Sequence, residues 1–191
     1  MIKLQNAILI PFLILFSGAI VPNAIAQVNT AYFTKAPRLL GASTTFSGVE
    51  VRGAKYYFNI ALPEDAGNNL QQIAIAQRQG AETIDFRLED TVAYLGTNRD
   101  KEGELAIADV TQNEETREIT VLLENPIPPG TTFTIGLKPK KNPFFPGVYL
   151  FGVRAFPQGN NPVDLYLGAG RLHFYRGGGR ISFIGIPHYF H

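Results

Sequence analysis

Oxygen-bearing side chains spaced around a glycine are the most pointed chemical signal in this chain. Asn98, Asp100 and Glu102 occupy the first, third and fifth positions of a calcium-loop spacing. Gly103 stands at the sixth, the apolar Leu105 at the eighth and Asp109 at the twelfth. A hard cation needs oxygen donors distributed in this way about a tight turn. The ends depart from the motif: Asn98 stands where an acid is usual, and Asp109 is shorter than the Glu that binds in bidentate fashion. The flanks also read as strands where an EF-hand has helices. A polar loop turning at Gly103 accounts for the same residues.

Other chemistry is sparse. The three histidines, His173, His188 and His191, all lie near the C-terminus. The last two could meet a transition metal, but no third ligand accompanies them and glycines 177–179 would tether them loosely. The chain has no cysteine, and after residue 26 its serines are Ser43, Ser47 and Ser182, none in a Gly-x-Ser-x-Gly elbow. A hydrolytic triad is therefore not expected. Asp85, Glu89 and Asp90 cluster in sequence, and a glycosidase places two carboxyls about 5–9 Å apart. The simpler reading puts Asp85 on the polar face of a strand and Glu89-Asp90 at the turn that ends it. Nothing in the sequence calls for a cofactor.

A basic and aromatic stretch remains. Lys138, Lys140 and Lys141 sit in a proline-rich segment that leads to Phe144 and Phe145, with Pro143 before them and Pro146 after. Such a loop could meet an anionic polymer through its lysines or stack its rings on a sugar or a protein partner. In an extended chain these two adjacent rings would point to opposite sides.

The elements that must position these groups are strands. Residues 126–157 hold two alternating runs, 131–137 and 148–156, separated by Pro139, Asn142, Pro143, Pro146 and Gly147. Earlier runs over 55–62, 72–76 and 82–88 alternate in the same way, and 104–110 with 117–123 suit a hairpin. Tyr166, Leu172 and Phe174 point to a last strand. Pro63-Glu64-Asp65 opens like the first turn of a helix, predicting a short one over 64–72. Residues 27–55 give weaker signals and are expected along a sheet edge. Seven or eight strands with frequent turns predict an all-β fold, an antiparallel β-sandwich of immunoglobulin type. An eight-stranded outer-membrane barrel fits the length less well, because these strands are short and broken by prolines.

Residues 1–26 read as a cleavable signal peptide: Lys3, an apolar run from Ala7 to Val21, and Ala24-Ile25-Ala26 as the small-x-small site. Export without a lipobox cysteine predicts a mature chain with no lipid anchor and no transmembrane span. The 17 Lys and Arg, less Lys3, balance the 16 Asp and Glu. That neutrality argues against nucleic acid as a partner. The expected organisation is one sandwich domain over 27–175 and a glycine-rich aromatic tail over 176–191.

At this point the order of blocks becomes familiar. Residues 57–60 (Tyr-Phe-Asn-Ile), Leu62-Pro63-Glu64-Asp65-Ala66-Gly67 and 90–96 (Asp-Thr-Val-Ala-Tyr-Leu-Gly) are followed by Pro129-Gly130-Thr131 and Asn142-Pro143. Gly147-Val148-Tyr149-Leu150-Phe151-Gly152-Val153 and Ala155-Phe156-Pro157-Gln158-Gly159 complete the set. Together they resemble an exported cyanobacterial family known only as domain of unknown function 2808, over about residues 36–175. The resemblance implies an envelope location and one domain, and no particular chemistry; the tail beyond Tyr175 departs from it. The expected function is a non-enzymatic exported envelope module, in the periplasm or beyond, that binds an envelope protein or polysaccharide through residues 138–147. The alternatives are a periplasmic metal-binding protein, using the 98–109 loop or the C-terminal histidines, and a carbohydrate-active enzyme.

Overall fold

The computed structural model describes residues 30–177. Residues 1–26, expected to be a signal peptide, and His188 and His191 lie outside the described residues. Ten strands run through the described chain: β1 (Arg38–Thr44), β2 (Tyr56–Ala61), β3 (Leu70–Gln79), β4 (Phe86–Thr97) and β5 (Asp100–Glu104), then β6 (Ile107–Gln112), β7 (Ile119–Ile127), β8 (Thr132–Pro139), β9 (Gly147–Pro157) and β10 (Leu165–Phe174). They form two antiparallel sheets, ordered β1-β2-β8-β4-β5 and β10-β9-β3-β7-β6.

Alternation decides how the sheets face each other. Tyr56, Phe58 and Ile60 of β2 and Phe133, Ile135 and Leu137 of β8 are fully buried, pointing at Ile73 and Ile75 of β3 and at Tyr149, Phe151 and Val153 of β9. Two sheets that each bury one face enclose a single apolar layer between them. Aromatic rings interlock at its centre. Tyr56 meets Phe174 at 5.5 Å, Phe86 at 5.8 Å and Phe151 at 6.0 Å, the last two edge-to-face. Such pairs add about 0.5–1.5 kcal/mol each beyond the area they bury.

The strand order follows an immunoglobulin plan with an insertion. β1, β2, β8 and β4 take the places of strands A, B, E and D, and β10, β9 and β3 those of G, F and C. β5 extends the first sheet beyond β4, while β7 and β6 extend the second beyond β3. All three arrive between the fourth and fifth strands of the plan, from residues 100 to 127.

Three expectations need correction. No helix forms over 64–72. The Ala66 N–H bonds to the Pro63 carbonyl to close one turn, the Ala66 carbonyl is taken by the N–H of Thr34, and Gly67 has a left-handed φ of 73°. The chain thus leaves the turn at once, and Leu70 begins β3. Second, Glu89-Asp90 does not end a strand. Both lie inside β4, where the register against β8 slips between Arg87 and Val92. A bulge of this kind absorbs polar residues without ending the strand. Third, 104–110 is not one strand: β5 ends at Glu104 in one sheet and β6 begins at Ile107 in the other, with Leu105 and Ala106 crossing the gap.

Candidate functional site

The segment between β8 and β9 is built around one buried amide. Asn142 is fully buried. Its Oδ1 accepts a 2.9 Å hydrogen bond from the Tyr56 hydroxyl, and its Nδ2 donates to the carbonyls of Phe46 at 2.8 Å and Gly48 at 2.7 Å. The backbone around it is tied as firmly: Asn142 N–H to Val51 O, Lys140 N–H to Asp85 O, and Glu50 N–H to Pro143 O, at 2.8, 2.8 and 3.0 Å. Pro139, Pro143 and Pro146 have no N–H to leave unpaired, which suits them to a loop anchored from within. Burial pushes the Tyr56 phenol far up from its ordinary range, with the Tyr149 phenol and Glu82 adding to the shift.

Glu82 shapes the tip. Its Oε1 accepts the backbone N–H groups of both Phe144 and Phe145. Bending the backbone around one carboxylate oxygen brings the two rings together, edge-to-face at 5.1 Å, instead of sending them to opposite sides. They are 45% and 48% exposed. The Tyr149 hydroxyl donates to the Phe145 carbonyl at 3.0 Å, fixing the tip to β9.

Further exposed apolar side chains lie on segments bonded to this one. Phe46 and Tyr175 are both more than half exposed, and Val148 is 44% exposed. The N–H of Tyr175 bonds to Ser47 O and that of Val49 to Tyr175 O, while Val148 stands opposite His173 in the β9–β10 register. Among the described residues, five of the nine large exposed hydrophobic side chains thus belong to segments cross-linked at one end of the sandwich. His173 is exposed on β10 and stacks on Tyr175, with ring centroids 6.3 Å apart.

Beside the tip runs an open groove of about 480 Å3, bounded by residues 82–89 on one side and by Arg52 and 140–143 on the other. Lys140 and Lys141 line it and are exposed. Lys138 does not belong to the loop: it projects from β8 and pairs with Asp90 at 3.0 Å. That hydrogen bond holds the Asp90 carboxyl below its ordinary range. Asp85 pairs with Arg117, so two of the three clustered carboxylates, Asp85 and Asp90, are held by separate cations.

The calcium-spaced residues are not brought together. Asn98 sits in the β4–β5 turn, where its Oδ1 accepts from Asn59 Nδ2 at 3.0 Å and its own N–H bonds to Asn59 Oδ1 at 3.1 Å. Asp100 and Glu102 are exposed on β5, and Asp109 is exposed on β6 in the opposite sheet. Among the described residues no group of three or more His, Cys, Asp or Glu is placed to hold a metal ion.

Sequence reasoning singled out Lys140, Lys141, Phe144 and Phe145, which the structure places on one loop, but missed what supports them. Asn142 reads as an ordinary turn residue before proline, and nothing around Glu82 marks it as the anchor of a loop 62 residues away. Arg52 and Arg87, which complete the groove, belong to segments without a motif.

The family described as a protein of unknown function, DUF2808, matches residues 30–174. The chain belongs to this family. No curated protein matches the chain. Among solved structures, the DUF2808 domain is similar to the collagen-binding subdomain of the Enterococcus faecalis surface protein ACE, at 11% identity and a TM-score of 0.42, covering 75% of this chain and 97% of that one. It is also similar to a collagen-binding domain from a Staphylococcus aureus adhesin, at 13% identity and a TM-score of 0.35, covering 76% and 98%. A third is the C-terminal domain of the Streptococcus pyogenes antigen I/II-family protein AspA, at 12% identity and a TM-score of 0.40, covering 70% and 45%.

Proposed function

We propose that this protein is a non-enzymatic, exported envelope module that holds a protein or polymer partner at the end of the sandwich built by residues 44–51, 140–148 and 173–175. The observation that carries this reading is the pair Phe144 and Phe145, half exposed on a loop whose base is locked by Asn142 and whose tip is locked by Glu82. Rings that a fold holds in the open cost little further side-chain entropy when a partner covers them. Contiguous exposed apolar surface with a polar rim is also the usual mark of an interaction site. Export rests on the signal pattern of residues 1–26.

Envelope retention tests the reading. The wild-type chain should fractionate with the cell envelope, and Phe144→Ala/Phe145→Ala should appear in the soluble fraction with an unchanged thermal melt. A double variant that stays with the envelope as well as wild type would overturn this assignment of the binding end.

A further inference from the structure

We propose that the groove beside the Phe144–Phe145 tip binds the acidic groups of a polysaccharide chain, a ligand class that rests on the partner-binding reading above and narrows it. The groove carries four exposed cations, Arg52, Arg87, Lys140 and Lys141, none in an ion pair among the described residues. Its three carboxylates, Glu82, Asp85 and Glu89, cancel them only in part. Asp85 is neutralised by Arg117, whereas Glu82 keeps its charge and turns it toward the N–H groups of Phe144 and Phe145. Asp90, next along β4, is held by Lys138. Among the described residues Glu89 is the groove carboxylate left without a partner, so four cations face two carboxylates that no cation cancels, a local positive excess on a chain whose overall charge is close to balance.

Geometry favours a polymer. The groove is partly open to solvent, so a bound sugar need not be the end of its chain. Its walls are fixed at the backbone by the Lys140–Asp85 and Asn142–Val51 hydrogen bonds, so the cations project from a rigid frame. Arginine forks suit the planar, two-oxygen geometry of a carboxylate or sulfate. The adjoining exposed rings offer faces on which the C–H side of a sugar can pack. A nucleic acid would call for a much larger basic surface than four side chains on a neutral domain.

The test uses the full chain titrated with polygalacturonate and with dextran sulfate, alongside neutral dextran, vesicles containing phosphatidylglycerol and single-stranded DNA. The acidic glycans should bind, with affinity falling as salt rises, and neutral dextran should not. Arg52→Gln/Lys141→Gln should weaken binding about tenfold or more at an unchanged melting temperature. Glu89→Gln should strengthen it, a gain that no folding defect can imitate. Absence of binding, binding untouched by either variant, or stronger binding to vesicles or DNA would each overturn the proposal. Should Arg52→Gln/Lys141→Gln leave envelope retention intact while Phe144→Ala/Phe145→Ala abolishes it, the ligand class falls and the binding end survives. Retention of the Phe variant would instead remove the binding end itself.

Discussion

The Tyr56 hydroxyl donates to Asn142 Oδ1 at 2.9 Å across 86 residues of sequence, with both side chains fully buried. This bond joins the centre of the aromatic core to the base of the 140–147 loop. Through it, the packing of the sandwich sets the position of the exposed Phe144–Phe145 pair.

Breaking that joint should be costly. Asn142→Ala strands the Tyr56 hydroxyl and the carbonyls of Phe46 and Gly48, and should destabilise the fold by about 2–4 kcal/mol. Tyr56→Phe leaves only one acceptor unmet and should cost about 1–2 kcal/mol. Urea unfolding of both single variants and the double variant should show a coupling of about 0.5–3 kcal/mol; additive losses would mean that the bond is not made in solution.

Gly96 lies at the register shift where β4 pairs with β5, with a left-handed φ of 79°, and a Cβ there would run into the carbonyl oxygen of Asp100. Gly96→Ala should therefore cost about 1–3 kcal/mol, read as a lower urea midpoint with an unchanged slope.

Tyr94 is a source of alkaline sensitivity. Its ring packs edge-to-face on Tyr57 at 6.2 Å, Lys101 lies over it at 4.5 Å, and its buried hydroxyl has no hydrogen-bond partner. Burial, followed by the Tyr57 phenol, pushes the Tyr94 phenol up to about 12, against a smaller opposing pull from Thr134, which lies near but outside hydrogen-bond geometry. The unfolded chain, with its tyrosine near 10.0, gives up this proton first. Stability from this group is thus complete below about pH 10 and is lost as pH rises through about 12. Tyr94→Phe should leave stability at pH 7 within about 0.5 kcal/mol of wild type. It should also flatten the alkaline decline in urea titrations at several pH values; an unaltered decline would assign the effect elsewhere.

Calcium should not stabilise the protein through residues 98–109, because Asn98 is committed to Asn59 and Asp109 stands in the other sheet. A site filled at 100 times its dissociation constant would add about 2.7 kcal/mol, a shift of several degrees. Chelator-stripped protein should melt at the same temperature with and without calcium. A shift lost in Asp100→Ala would show that the loop closes on the ion.

Much of the sandwich is written in local alternation. Tyr56, Phe58 and Ile60, or Phe133, Ile135 and Leu137, declare their buried face by period alone, because side chains two apart in a strand share a side. β1 carries a weaker local signal: it is an edge strand whose residues are all half-buried or exposed, so it lacks that contrast. β5, with the sequence Asp-Lys-Glu-Gly-Glu, has no apolar face at all and is a strand only because β4 offers it an edge to pair with. The 64–72 helix failed because Thr34 claims the Ala66 carbonyl, a competitor invisible from local propensity.

The sequence by itself determined the β class, the strand positions with a strong period, and the presence of a basic, aromatic, proline-bounded loop, since all of these follow from composition and short-range spacing. Tertiary structure alone decided which charges stay available. Lys138 is paired with Asp90, Asp85 with Arg117, and Glu82 with the loop it anchors, whereas Arg52, Arg87, Lys140 and Lys141 converge on one groove. Those partnerships join residues 32 to 63 positions apart, and only the folding of the sheets brings them within reach of one another.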